Sequence, residues 1–269
     1  MTAMTDRLPP FSIDVSAESV CRWQVGRDGD MPDAMPAAGD PVPMSYLFFL
    51  RSQPATARSI HTELGRDPDR GLFGGVLYER HRGVLIGDRL DADAVVTGRK
   101  TVESPRGDML LTTLVNRWTY HGDDAVIETV RMVDLPPGPS SPPAAGPDAD
   151  PDLTEVCAPV SFSRRQIAWL TVETGDLNAL HVDRAYAESR LFPDVVVPGT
   201  LIVPVVEKAL EEKTGNPVQR LDVRFRAPTF PDEDIVVTAN EETGGNWRFE
   251  VCGNGQVRAF GTAETGANA

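Results

Sequence analysis

The sequence predicts an α+β fold built from two copies of one domain in a single chain, each copy an antiparallel sheet wrapped around a central helix. Three observations predict it. Residues 136–152, PPGPSSPPAAGPDADPD, hold seven prolines and no large apolar side chain, so they form a tether that cuts the 269-residue chain into halves of ordinary domain size. The halves align on each other: Trp23 falls on Trp169, Gly29 on Gly175 and Asp30 on Asp176. Pro43 then falls on Pro198, and HRGVLIGD (81–88) lies over FRAPTFPD (225–232), pairing Arg82 with Arg226 and Asp88 with Asp232. Finally, each half reads as a short strand or turn, helical segments, and then several strands.

Taken in order, the first half (1–135) places its central helix near residues 44–53, in PMSYLFFL. Four strand-like runs follow: VLYERHRGVL, DADAVVTGRKTVE, DMLLTTLVNRWTYH and DAVIETVRMV. After the tether, the second half (153–269) offers a helix from about Leu201 to Lys213, capped by Thr200 and stopped by Gly215. Leu201, Ile202, Val205, Val206, Ala209 and Leu210 make it apolar nearly all round, and Pro204 falls near its first turn. Such a helix needs a wrapper, and a curved sheet supplies one. LDVRFRAP, DIVVTANE, WRFEVCG and QVRAFGTAE are the strands, with GG and GNG as hairpin turns. One buried helix with a following antiparallel meander describes a hotdog domain, and two in one chain make a double hotdog.

Composition excludes several classes. A net charge of −14, from 26 Lys and Arg against 40 Asp and Glu, repels a phosphate backbone, so no nucleic-acid partner is expected. No apolar run reaches the roughly 20 residues that span a bilayer, and MTAMTDRLPPFS has no apolar signal core. Cys21, Cys157 and Cys252 are scattered, without metal or redox spacing. A cytoplasmic protein with no metal, no cofactor and no membrane partner is the expectation.

Chemistry concentrates in TGDLNALHVDRAYA, residues 174–187. Asp176, Asn178 and His181 put a carboxylate, an amide and an imidazole within six residues, beside Asp183. The plainest reading is a polar turn with Asp183 capping a helix. Two features point further. The stretch runs between the apolar QIAWL segment and the buried helix, and VVVPGTL brings the N-H groups of a helix N-terminus, around Gly199 and Thr200, into the same region.

GDLNALHVD, followed by Ala185, Phe192 and PGTL, resembles the signature of the MaoC-like hydratases, also called R-specific enoyl-CoA hydratases or hydratase 2 proteins. LFGGVLYERHRGVLIGD extends the resemblance to the double-hotdog hydroxyacyl-thioester dehydratase type 2 and mesaconyl-CoA hydratase group. The resemblance implies that Asp176 and His181 are catalytic, that Asn178 holds the loop, and that the Gly199 N-H faces a thioester carbonyl; Thr200, beside it at the helix start, is expected to shape the site. Pro198 departs from the pattern, standing where many members carry His, which alters the pocket mouth. The activity implied is reversible syn hydration of a 2-enoyl thioester, a hydro-lyase reaction on an acyl-CoA or acyl carrier protein thioester. A hotdog thioesterase and a non-catalytic acyl-binding protein are the alternatives, and a homodimer is compatible with each of the three.

In the first half, Asp30 stays opposite Asp176, but Pro32 replaces Asn178 and Met35 replaces His181, so no imidazole remains to relay a proton. The second half is then expected to do the chemistry while the first contacts the acyl chain, with Tyr46, Phe48 and Phe49 as candidate lining, although core packing is the commoner fate of such side chains. Arg220, Arg224 and Arg226 recur on one strand face, which either meets a carrier's phosphates, with Arg224 and Arg226 as the candidate contacts, or is simply solvated. His61, His81 and His121 lack a local carboxylate and read as structural or surface residues.

Overall fold

In a computed structural model, described for residues 6–52, 64, 67, 70–103, 107–136, 145–176 and 178–266, one ten-stranded sheet runs through both halves. The strands are β1 (Arg7–Asp14), β2 (Pro41–Val42), β3 (Gly71–Arg80), β4 (Val84–Leu85), β5 (Arg89–Val102), β6 (Met109–Tyr120) and β7 (Asp123–Asp134) in the first half. The second half supplies β8 (Thr154–Glu155), β9 (Val218–Phe225), β10 (Ile235–Thr243), β11 (Asn246–Gly253) and β12 (Gln256–Thr265). The sheet order is β1-β5-β6-β7-β3-β9-β12-β11-β10-β8, with every pair antiparallel, while β2 and β4 form a separate two-stranded sheet. Read outward from the β3–β9 junction, the two halves have the same order, so the fold is a double hotdog related by an approximate twofold axis. The turns bear out the hairpin chemistry: Gly244-Gly245 and Asn254-Gly255 take paired positive φ angles, and His121-Gly122 does the same in the first half.

The helices follow the same symmetry. α1 (Ala17–Asp28) and α3 (Arg164–Thr174) are N-capped by Ser16 and Ser163 and stopped by left-handed glycines, Gly29 and Gly175. They lie antiparallel, with the Gln166 amide donating to the Arg27 carbonyl and Trp169 against Gly26 so closely that an added Cβ there would stand 3.0 Å from its ring. The central helices are α2 (Tyr46–Ser52) and α5 (Gly199–Thr214), with α4 (Arg184–Ser189) preceding α5. α5 begins two residues earlier than the sequence suggests. Its N-cap position is Pro198, with no side-chain cap, so Thr200 lies inside the first turn rather than capping it.

Equivalent hydrogen bonds refine the internal alignment. Tyr46 N donates to Pro43 O as Leu201 N donates to Pro198 O, so Pro43–Met44–Ser45 matches Pro198–Gly199–Thr200. His81 and Arg82 both donate to Ala125 O, as Arg226 and Ala227 both donate to Arg258 O. Arg82 therefore matches Ala227, one place away from the pairing with Arg226 that the sequence suggests. Gly87 and Asp232 also correspond, each donating to the residue before a Ser cap and each at positive φ. A glycine position filled by Asp232 hides the true register from side-chain matching.

Residues 137–144 of the proline-rich stretch lie outside the described residues. Its later part is held to the second half: Val257 N donates to Pro147 O, and Arg248 pairs with Asp150 at 2.8 Å. Composition shows that such a segment cannot build a core, but proline carbonyls still accept hydrogen bonds.

Candidate active site

The loop after α3 is shaped by its own polar groups. Gly175 reverses the chain in the left-handed conformation. Asp176 Oδ1 then accepts from the Asn178 N-H at 3.0 Å, and Asn178 Oδ1 accepts from the Leu180 N-H at 3.0 Å. This starts a single 3-10 turn, Ala179–His181, that carries the imidazole back toward Asp176. Asp183, as the plainest reading has it, accepts from Tyr186 N and caps α4.

Asn178 is buried, and its Nδ2 donates at 2.7 Å to the Gly71 carbonyl at the start of β3. The loop of the second half is thus fastened to a strand of the first. His181 Nδ1 lies 2.7 Å from the Val196 carbonyl oxygen. A carbonyl can only accept, so in the neutral ring Nδ1 carries the proton and Nε2 keeps the lone pair. Nε2 stands 3.6 Å from Asp176 Oδ2, too long for a direct hydrogen bond, so two acceptors converge on one small volume. One water molecule can donate to both.

Val196 joins this pair to α5. Its N-H donates to Leu180 O, Val197 N donates to Thr229 O, and three residues of chain, at most about 11 Å, separate Val196 from Gly199. Gly199 and Thr200 are half-buried, while Leu201–Pro204 behind them are buried. The first-turn N-H groups of a helix have no intrahelical partner and carry its positive end. A Cβ on residue 199 would stand 2.5 Å from Phe225 Cζ and 2.9 Å from Phe73 Cδ1, so these rings close on the glycine itself. Phe48, Phe73 and Phe225 form a run of rings with centroids 5.1 and 5.6 Å apart.

Arg224 and Arg226 line a cavity of about 570 Å³ where β7, β3, β9 and β12 meet, together with Arg131, Phe225 and Phe260. Arg224 alternates with the buried Leu221 and Val223, so it stands on the face away from the core. Phe225 touches both this cavity and Gly199. Arg220 belongs to neither, pairing loosely with Glu79.

Tyr46 is not at this site. It is fully buried between Trp23 and Phe49, with its hydroxyl hydrogen-bonded to Ser19, and so serves the first half's core. Aromatic runs look alike whether they line a tunnel or fill a core. Asp30 and Met35 are exposed. His81 is exposed, His121 forms the β6–β7 turn, and His61 lies outside the described residues. Gly71, Val196, Phe73 and Phe225 escaped sequence reading; the first two act through backbone carbonyls, which leave no mark on residue type.

Among the described residues no cluster of three or more His, Cys, Asp or Glu side chains could hold a metal ion, and no helix is long and apolar enough to cross a membrane.

Residues 147–261 match the family described as MaoC like domain. Over 111 residues, 41% of the chain, the sequence is 32% identical to the peroxisomal hydratase-dehydrogenase-epimerase of Saccharomyces cerevisiae. The match spans only 11% of that relative. The crystal structure of HtdX from Mycobacterium tuberculosis superposes with a TM-score of 0.71 at 19% identity, covering 97% of this chain and 99% of that one. A second protein of M. tuberculosis, described as having a double hotdog fold, superposes with a TM-score of 0.56 at 15% identity over 96% of each chain. At these identities the structures speak for the fold alone.

Proposed function

With residues 147–261 a MaoC-like domain within a double hotdog, we propose that the protein is a hydro-lyase that adds water reversibly across a 2-enoyl thioester, and that Asp176 and His181 carry the reaction. The observation that supports this most is the Nδ1–Val196 hydrogen bond, which in the neutral ring puts the lone pair on Nε2, 3.6 Å from Asp176 Oδ2. A water held by both groups gives its oxygen to C3 of the substrate and one proton to the pair. The electrons of the C2–C3 double bond move toward the thioester oxygen, and a proton returned from the pair closes C2. The water's second proton stays on the new hydroxyl. Because one face of the substrate meets both groups, the addition is syn. The Gly199 N-H, at the positive end of α5, stabilises the enolate-like oxygen, and Thr200 shapes its surroundings.

In this reading residues 153–269 form the catalytic half, residues 1–135 a half without chemistry of its own, and 136–152 the connection. The carrier is CoA: a small anionic group needs only the few guanidinium groups of Arg224, Arg226 and Arg131, whereas an acidic carrier protein meets a chain of net charge −14. The test follows the ultraviolet absorbance of the conjugated enoyl thioester with CoA and carrier-protein substrates, alongside thiol release. Loss of absorbance without thiol release is the expected result. Thiol release instead makes the protein a thioesterase, and binding with neither change makes it non-catalytic. Equilibrium titration is expected to find one CoA-ester site per chain.

A further inference from the structure

In the first half, the counterparts of the Gly199 and Thr200 N-H groups are not open to a ligand, because the protein fills them itself. The Met44 and Ser45 N-H groups donate at 2.8 and 3.0 Å to the two carboxylate oxygens of Glu207, a buried residue of α5. Arg80 Nη2 completes the cradle at 3.2 Å from Glu207 Oε1 and reaches Glu211 Oε1 at 3.3 Å. Arg80 is the last residue of β3, and its counterpart is Phe225, the last residue of β9, whose ring meets Gly199. Where one half pairs a helix start with an aromatic ring, the other surrounds a carboxylate with three donors.

Glu207 also closes a circuit. From the cradle, α2 leads to Phe48, whose ring packs at a tilt against Phe73, and Phe73 lies against Gly199, two turns of α5 before Glu207. We propose that Glu207 is a positioning residue: by gripping Met44, Ser45 and Arg80 it fixes α5 against the first half and so sets where the Gly199 N-H meets the substrate carbonyl. This rests on the role given to Gly199 above. The cradle is at the same time a binding site for a small carboxylate, filled in cis.

Glu207→Ala empties the cradle while leaving Arg80 its contact with Glu211. Two readouts follow, one of them independent of catalysis. Formate or acetate is expected to raise the Tm of the variant saturably, with chloride at equal ionic strength ineffective and the wild-type protein unaffected. Turnover of an enoyl thioester is expected to fall about tenfold at nearly unchanged KM and to recover in part with the same carboxylates. Wild-type kcat in the variant, or stabilisation no greater than that by chloride, overturns the proposal. Should the Ala variant not fold, Glu207→Gln keeps the shape but presents an amide to three donors, and undiminished kcat there overturns it equally. If the wild-type protein has no hydratase activity, the proposed function fails, while carboxylate-specific stabilisation still judges the cradle.

Discussion

The two halves share a scaffold but bury different chemistry beneath equivalent strands. In the second half Phe249 sits opposite Gly261, which sits opposite Val223, and a Cβ on Gly261 would come within 2.8 Å of the Phe249 ring. At the matching places the first half has Asn116, Glu128 and Tyr78. Glu128 is fully buried and its carboxyl is pushed above the usual range by desolvation, with hydrogen bonds from Asn116 and the charge of Arg51 pulling the other way. The same site raises the Tyr78 phenol, through burial first and the neighbouring Glu128 second. At this strand position the half that carries Asp176 and His181 thus has close-packed apolar groups, and the half without them a buried carboxyl, amide and phenol, while elsewhere the second half buries Glu207, Glu233 and Arg258. A duplicated domain can place apolar packing and polar burial at equivalent positions, where a single core would hold only one of them.

The largest test of this contrast is at the two loops. Asp176→Asn and His181→Ala are each expected to lower kcat by about 10²–10⁴-fold with folding retained, while Asp30→Asn leaves it unchanged. Comparable losses at Asp30 and Asp176 would mean that both halves react. Next comes Gly199→Ala, whose methyl must displace Phe225 and Phe73; the overpacking costs about 1–3 kcal/mol, read as a lower midpoint in urea together with reduced turnover. A variant of wild-type stability and rate would show that the rings yield and that the close approach is incidental. Arg224→Ala or Arg226→Ala is expected to raise KM for a CoA thioester a few-fold, about 1 kcal/mol or less, since Arg224 is half exposed and solvent screens it. Its effect should shrink as salt rises.

The smallest effect is a change of slope. Glu128 has a folded-state pKa above its unfolded one, so its contribution is fully present below the ordinary carboxylate range and is lost as pH rises through the raised value. Glu128→Gln keeps an acceptor for Asn116 and removes that titration. Urea unfolding between pH 4 and pH 8 is expected to show a flatter decline in stability for the variant. Identical slopes would place the pH dependence elsewhere, beginning with Glu211, which burial also raises.

Much of this contrast is legible from residues that act locally. Strands β5–β7 and β9–β12 announce themselves through alternation and turn glycines, and Asp176, Asn178 and His181 through their closeness in sequence. β1 is harder, because Pro9 and Pro10 read as a turn; the strand tolerates them at a sheet edge, where its pairing with β5 shifts register between Leu8 and Phe11. What stays hidden is whatever joins distant segments through the main chain. Nothing in the type of Gly71 marks its carbonyl as the partner of Asn178, 107 residues away. Glu207 did leave a signal, a lone carboxylate between Val206 and Ala209 on an otherwise apolar helix face, and its partners at Met44 and Ser45 are invisible without the fold.

The β3–β9 junction makes all of these differences affordable at once. Were the same sheet assembled from two identical subunits, each change would be made twice: an arginine at the end of one central strand would stand at both, and the carboxylate that fills one helix start would fill its mate. Joining the copies in one chain ends that obligation, so that a residue harmful on one side of the axis can be useful on the other. The near-symmetry of the backbone is then a record of common descent, and the asymmetry of the side chains measures how far each copy has been released to specialise.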